Sequence, residues 1–166
     1  MTAQNNQAEK TDFFIPLVDA YQRLGTGGQA DLCRVKNLDA VADLPAYYRW
    51  LGNRKPSLAL QRFAFLLPYL GRHIPGLAPG RALRKGRVNE VRMFQVLRSH
   101  SPRDLEQLRR LFQQADSPGM DANKLGRSLH FWGRSAKQDL LRDFLVTEID
   151  LSSNTSQTAD LSDDQG

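Results

Sequence analysis

Apolar residues recur at helical spacing along almost the whole chain. Phe13/Phe14, Leu17, Ala20/Tyr21 and Leu24 form a first stripe, with Gly25 as its stop. GTGGQ reads as a break before a short segment ending at Val35. In LPAYYRWLG, Pro45 begins a short helix and Gly52 ends it, since proline suits the first helical position and glycine the exit. Leu58 to Leu70 reads as a buried helix, with Ser57 near its start and Pro68 fraying its last turn. After RHIPGLAPG, the strongest break, GRALRKG supplies a turn or two of helix. Residues 88 to about 99 follow as a helix with apolar residues nearly all round, a pattern that predicts a central position. Ser101-Pro102-Arg103-Asp104 has serine at the N-cap, proline behind it and an acid in the first turn. The helix it starts carries a stripe of Leu105, Leu108, Leu111/Phe112 and Ala115, with Arg103, Gln107, Arg110 and Gln114 opposite. Beyond SPGMD, Leu125, Leu129 and Trp132 make another stripe, ended by Gly133. Ser135-x-x-Gln138 has the form of a capping box for a last helix with Leu140, Leu141, Phe144, Leu145 and Ile149. No segment sustains a period of two, so the pattern predicts an all-α protein.

The breaks divide the chain into a polar N-terminus (1–12), an N-terminal helical lobe (13–71), a hinge (72–79), a C-terminal helical lobe (80–150) and an acidic tail (151–166). The two polar ends hold too few apolar residues to offset the entropy of ordering, so both are expected to be disordered. The longest apolar run, FAFLLPYL, is far below the roughly 20 residues of a membrane helix. The N-terminus has no apolar run of the signal-peptide kind. One cysteine, Cys33, leaves no internal disulfide and fits a reducing compartment, so the expected location is the cytoplasm.

Charge changes the picture more than composition does. The 166 residues carry a net +5, but residues 81–142 hold fourteen Lys/Arg against six Asp/Glu, an excess of eight positive charges. Eleven of those fourteen are arginine, whose planar guanidinium suits bidentate contact with phosphate. The segment RALRKGRVNEVRMFQVLR alone has five arginines and Lys85 against Glu90. Such a surface favours a polyanionic partner, with an ordinary solvated basic face as the alternative.

Other chemistry finds little support. GTGG lacks the lysine and hydroxyl of a phosphate-binding P-loop and follows no buried strand. His73, His100 and His130 have no metal-ligand spacing, and Cys33 has no histidine partner indicated. The acids are too scattered for an acid–base pair or a divalent-metal site. A helix-turn-helix reader is disfavoured because ANKLGRSLHFWG offers few base-reading side chains. At 100° per residue, Arg87, Val91, Phe94 and Arg98 share one strip and Arg92 points elsewhere. Arg109 flanks the next helix's stripe and Arg110 lies on its outer face. Guanidinium groups on several sides suit a tracked backbone better than a single ligand pocket. Arg87, Asn89 and Glu90 fit either a structural network or direct binding.

GRAL, then GRVNEVRMFQVLR, then DLEQLRRLF, then FWGRSAKQDLLRDFLV resembles the CasB family, the small subunit of type I-E CRISPR Cascade complexes. The match in order and spacing runs over about residues 80–146, with looser agreement in LCRV, LPAYYRWL and LALQRFAFLL. The resemblance implies two packed helical bundles, no enzymatic activity and no cofactor. It implies sequence-independent nucleic-acid binding that stabilises the R-loop, notably the displaced strand of target DNA. The implied partners are the CRISPR RNA-bearing backbone subunits, the large subunit, target DNA and a second copy of the chain. The basic positions that match the family are Arg34, Arg81, Arg87, Arg92, Arg98, Arg109, Arg110, Arg134 and Lys137. Cys33 stands where the family often has the first of two arginines, and Ser135 and Ala136 replace charged residues after the WG. The rival reading is a protein–protein scaffold whose arginines meet acidic neighbouring subunits.

Overall fold

The computed structural model describes residues 12–146, so the acidic tail and the polar N-terminus up to residue 11 lie outside the described residues, as does Ile149 of the expected last helix. Among the described residues the chain is helical, without strands apart from one isolated parallel bridge between His73 and Met120. The order is α1 (Ile15–Arg23), α2 (Gly25–Arg34), a 3-10 turn (Asp39–Asp43), α3 (Pro45–Leu51) and α4 (Leu58–Leu66), which runs into a 3-10 turn (Leu67–Tyr69). There follow α5 (Pro79–Lys85), α6 (Glu90–Arg98), α7 (Arg103–Gln114), α8 (Ala122–His130) and α9 (Arg134–Leu145). The all-α expectation holds.

Several ends form as the sequence dictates. Pro45 sits in the first turn of α3, and Ser57 caps α4 by accepting the Leu60 N–H at 3.2 Å. Three details differ. GTGGQ is not a break: Gly25, at φ +72°, turns the chain within one residue and α2 starts there. Ser101 caps nothing, because α7 begins after Pro102 and its Asp104 side chain turns inward. The Ser135/Gln138 box is unused, since α9 begins at Arg134, behind Gly133.

The core is built on α4, whose Phe63, Phe65 and Leu66 are buried. Phe63 meets Phe14 and Trp50 at ring-centroid distances of 5.0 and 6.3 Å, joining α4 to the N-terminal helices. On its other side α4 packs against α8, and Arg62 donates to the Leu129 carbonyl at 3.0 Å. One hydrophobic cluster therefore runs from Phe14 to Phe144. Residues 72–79 are stitched to residues 119–122: Ile74 N–H to Met120 O (2.9 Å), Met120 N–H to Arg72 O (3.1 Å) and Gly76 N–H to the Asp121 carboxylate (2.8 Å). In the C-terminal half α5 lies directly on α9. A Cβ at Gly80 would run into the Leu140 carbonyl and come within 2.9 Å of the Phe144 nitrogen, so only glycine permits this approach.

The helix at 90–98 is less central than its pattern suggests. Met93 and Val96 are buried, but Val91 is 64% exposed. Its strip with Arg87, Phe94 and Arg98 is an outer edge and not a buried ridge.

Candidate nucleic-acid interface

Helix α7 organises the basic surface. Leu105, Leu108, Leu111 and Phe112 face the core, which leaves Arg103, Gln107, Arg110 and Gln114 on the other side. Arg110 lines three adjoining open depressions. One holds Arg92 and Val91, between α6 and α7. A second holds Arg34 and Lys36 at the end of α2. The third holds Arg98 and Arg103. Glu106 is the only acid among these lining residues. Five cations, from the end of α2, from α6 and from α7, thus surround one side chain, with little to neutralise them. Arg34 has an exposed partner, Asp31, at 3.6 Å, and Arg92 is steadied by donating to Gln114 Oε1 at 3.0 Å. Pairs and contacts this exposed are weak, so the charges stay available to a ligand.

Arg109, the neighbour of Arg110, does something else. It is only 6% exposed, and its guanidinium donates to the Leu32, Cys33 and Val35 carbonyls, at 2.8 and 3.0 Å for the first two. Those are terminal carbonyls of α2, which have no partner inside the helix. The guanidinium carbon lies 4.6 and 4.9 Å from the Phe65 and Tyr69 ring centroids. Burial lowers the Arg109 pKa, against which Tyr69, Cys33 and Tyr21 act to raise it. Burial is also the main cause pushing the Tyr21 phenol up, reinforced by its contact with Cys33 at 3.8 Å. The expectation that Arg109 meets nucleic acid is corrected here: its donors are spent on backbone, and its role is to seat the end of α2, with Arg34 and Lys36, beside Arg110.

Lys137 needs the same correction. It is 9% exposed, and its Nζ lies 2.6 Å from Asp104 Oδ2 and 2.7 Å from the Ser99 carbonyl. Asp104, 1% exposed, also accepts from Trp132 Nε1 at 2.9 Å. The pair joins α9 to α7 and to the end of α6. Arg134 is exposed and lines an adjoining pocket with Trp132, reached past Ser99, His100 and Ser101, which border both it and the third depression.

The remaining positions do not line this face. Arg81 is half-buried on α5, and Arg87 is exposed in the α5–α6 turn. Of the Arg87, Asn89 and Glu90 group, Asn89 is structural, capping α6 by accepting the Val91 N–H at 2.7 Å. Arg87 and Glu90 form no ion pair with each other among the described residues. Lys36 and Arg103 are the members that family matching misses. The signal for Arg103 is its register, four residues before Gln107 and seven before Arg110. Among the described residues no group of three or more His, Cys, Asp or Glu is placed to hold a metal, and no helix is long and apolar enough to cross a membrane. His73 acts within the fold, accepting the Ala122 N–H on Nδ1 at 3.0 Å.

Fold and surface together define a small, basic, all-helical protein with an open face on which several of its arginines meet. No protein-family model matches the chain. The CRISPR system Cascade subunit CasB of Escherichia coli strain K12 is 36% identical over 148 residues, which cover 79% of this chain and 91% of that one. A chain in the crystal structure of E. coli Cascade bound to a PAM-containing double-stranded DNA target superposes with a TM-score of 0.73 at 34% identity, over 86% of this chain and 97% of that one. The protein belongs to the CasB family.

Proposed function

We propose that this protein is a non-catalytic subunit of a Cascade complex, and that it holds single-stranded nucleic acid on the Arg110-centred face without reading its sequence. The observation that carries this reading is the position of Arg110 at the junction of three open depressions lined by Arg34, Lys36, Arg92, Arg98 and Arg103. Guanidinium groups spaced over an open surface suit successive phosphates of a flexible strand, and the groups come from several elements, as a tracked backbone requires. R-loop formation is nearly balanced energetically, so contacts to the displaced strand of target DNA tip it toward completion. The reading places the protein in the cytoplasm, beside the CRISPR RNA-bearing backbone subunits and the large subunit, with a second copy in the complex.

Binding of a mixed-sequence single strand to the purified chain tests this. With four phosphate contacts, affinity falls roughly 50-fold between 50 and 200 mM salt, with little change on scrambling the sequence. An affinity indifferent to salt contradicts the reading. The scaffold alternative draws on one observation, the 64% exposed Val91 beside Arg92, an apolar element in a basic depression. Crosslinking from position 91 in the assembled complex separates the two: DNA adducts support the strand, protein adducts the scaffold.

A further inference from the structure

The pocket beside the arginine face has a different chemistry. Its volume is about 420 Å³, within the range of roughly 300–1,000 Å³ typical of small-ligand sites. Trp132 forms part of its wall, with Ser99, His100 and Gln138 around it and the exposed Arg134 contributing the free charge. Asp104 and Lys137 also line it, but their charges are spent on each other at 2.6 Å. The same carboxylate oxygen holds Trp132 Nε1, and the Lys137 ammonium lies 5.8 Å from the indole centroid. The ring is thus fixed before any ligand arrives, which lowers the entropic cost of stacking on it.

We infer that this pocket receives one unpaired nucleobase, stacked on Trp132, from a strand held on the adjacent face, with Arg134 at its phosphate. A preset aromatic ring, a neutralised floor and polar side chains suit a planar group with hydrogen-bonding edges. An acidic protein side chain would find one free cation there. Ser99, His100 and Ser101 border both the pocket and the depression holding Arg98, Arg103 and Arg110, so the path from phosphate to base is continuous. The inference rests on the strand reading above and adds base capture to it.

Two single strands of equal length, one of thymidines and one abasic throughout, separate the two ideas on the unaltered chain. Of the two tryptophans, Trp50 is buried with its Nε1 bonded to the Leu17 carbonyl, so quenching of emission reports Trp132. The expected result is that both strands bind at low salt, that the thymidine strand binds about tenfold more tightly, and that it alone quenches. Trp132→Phe keeps most of that advantage, while Trp132→Leu loses it and retains abasic affinity. The two-strand comparison stands even if Trp132→Leu fails to fold. Equal affinities with no quenching overturn the base pocket and leave the strand reading intact. Failure of both strands to bind overturns both. A polyglutamate peptide that quenches as strongly as thymidine overturns the base pocket in favour of an acidic protein partner.

Discussion

Arg109 and Arg110 are adjacent in sequence and opposite in role: one guanidinium is bonded to three backbone carbonyls at the end of α2, and the other stands exposed where three depressions meet. A double substitution would confuse structure with binding. Taken singly, Arg109→Ala strands buried carbonyls and costs roughly 3–5 kcal/mol, about 10 °C or more in Tm. Arg110→Ala changes stability by no more than about 0.5 kcal/mol but weakens single-strand binding several-fold and flattens its salt dependence by about one contact. Thermal melts and salt titrations of the two variants read the difference.

Asp104 and Lys137 form a buried pair, so removing one member costs more than removing both. Lys137→Met leaves a carboxylate uncompensated and destabilises by about 3–5 kcal/mol. Adding Asp104→Leu recovers much of that loss, although Trp132 Nε1 then lacks its acceptor. Denaturant unfolding of the two single variants and the double variant checks the coupling.

Arg87 occupies the left-handed backbone region at φ +59°, where a side chain is strained. Arg87→Gly is expected to be at least as stable as the parent, and Arg87→Val less stable by about 1–2 kcal/mol. Because Arg87 does not line the Arg110 face, both variants bind a single strand within about twofold of the parent, by the contact logic that assigns one unit of salt dependence per phosphate partner.

Asp121 gives a pH test. Burial pushes its pKa up, but hydrogen bonds from the Gly76, Lys124 and Asn123 N–H groups outweigh burial and hold it below the ordinary 3.8. A depressed carboxylate stabilises the fold fully above its unfolded pKa and loses that contribution as pH falls through the folded one. Asp121→Asn therefore costs about 1–2 kcal/mol at pH 7, and its gap from the parent narrows below the ordinary value. Melts at pH 7, 4 and 3 would show the gap closing; a gap that widens in acid contradicts the assignment.

Much of the fold was legible because the apolar stripes have a local cause. Leu105, Leu108 and Phe112 place α7 on the core, and the same spacing puts Arg109 at the stripe's edge and Arg110 outside it. The partners of Arg109 were not legible, since they lie on α2, more than seventy residues earlier in the chain. The same holds for capping. Ser135 and Gln138 match a local motif, but α9, packed on α5 and α6, starts at Arg134. Charge density marked a region of the chain, while the place of each cation depended on helix rotation: Arg103 and Lys36 line the depressions around Arg110, and Arg109 and Lys137 are withdrawn into the fold.

The Arg109 brace bears on how the history of this chain should be read. An arginine bonded to three carbonyls is needed by the architecture, whatever the surface binds. On the proposed strand-holding role, a relative that bound no nucleic acid would be free to lose Arg110 and would still need Arg109. The two adjacent arginines are therefore expected to vary differently among related chains, the first with the fold and the second with what the surface holds.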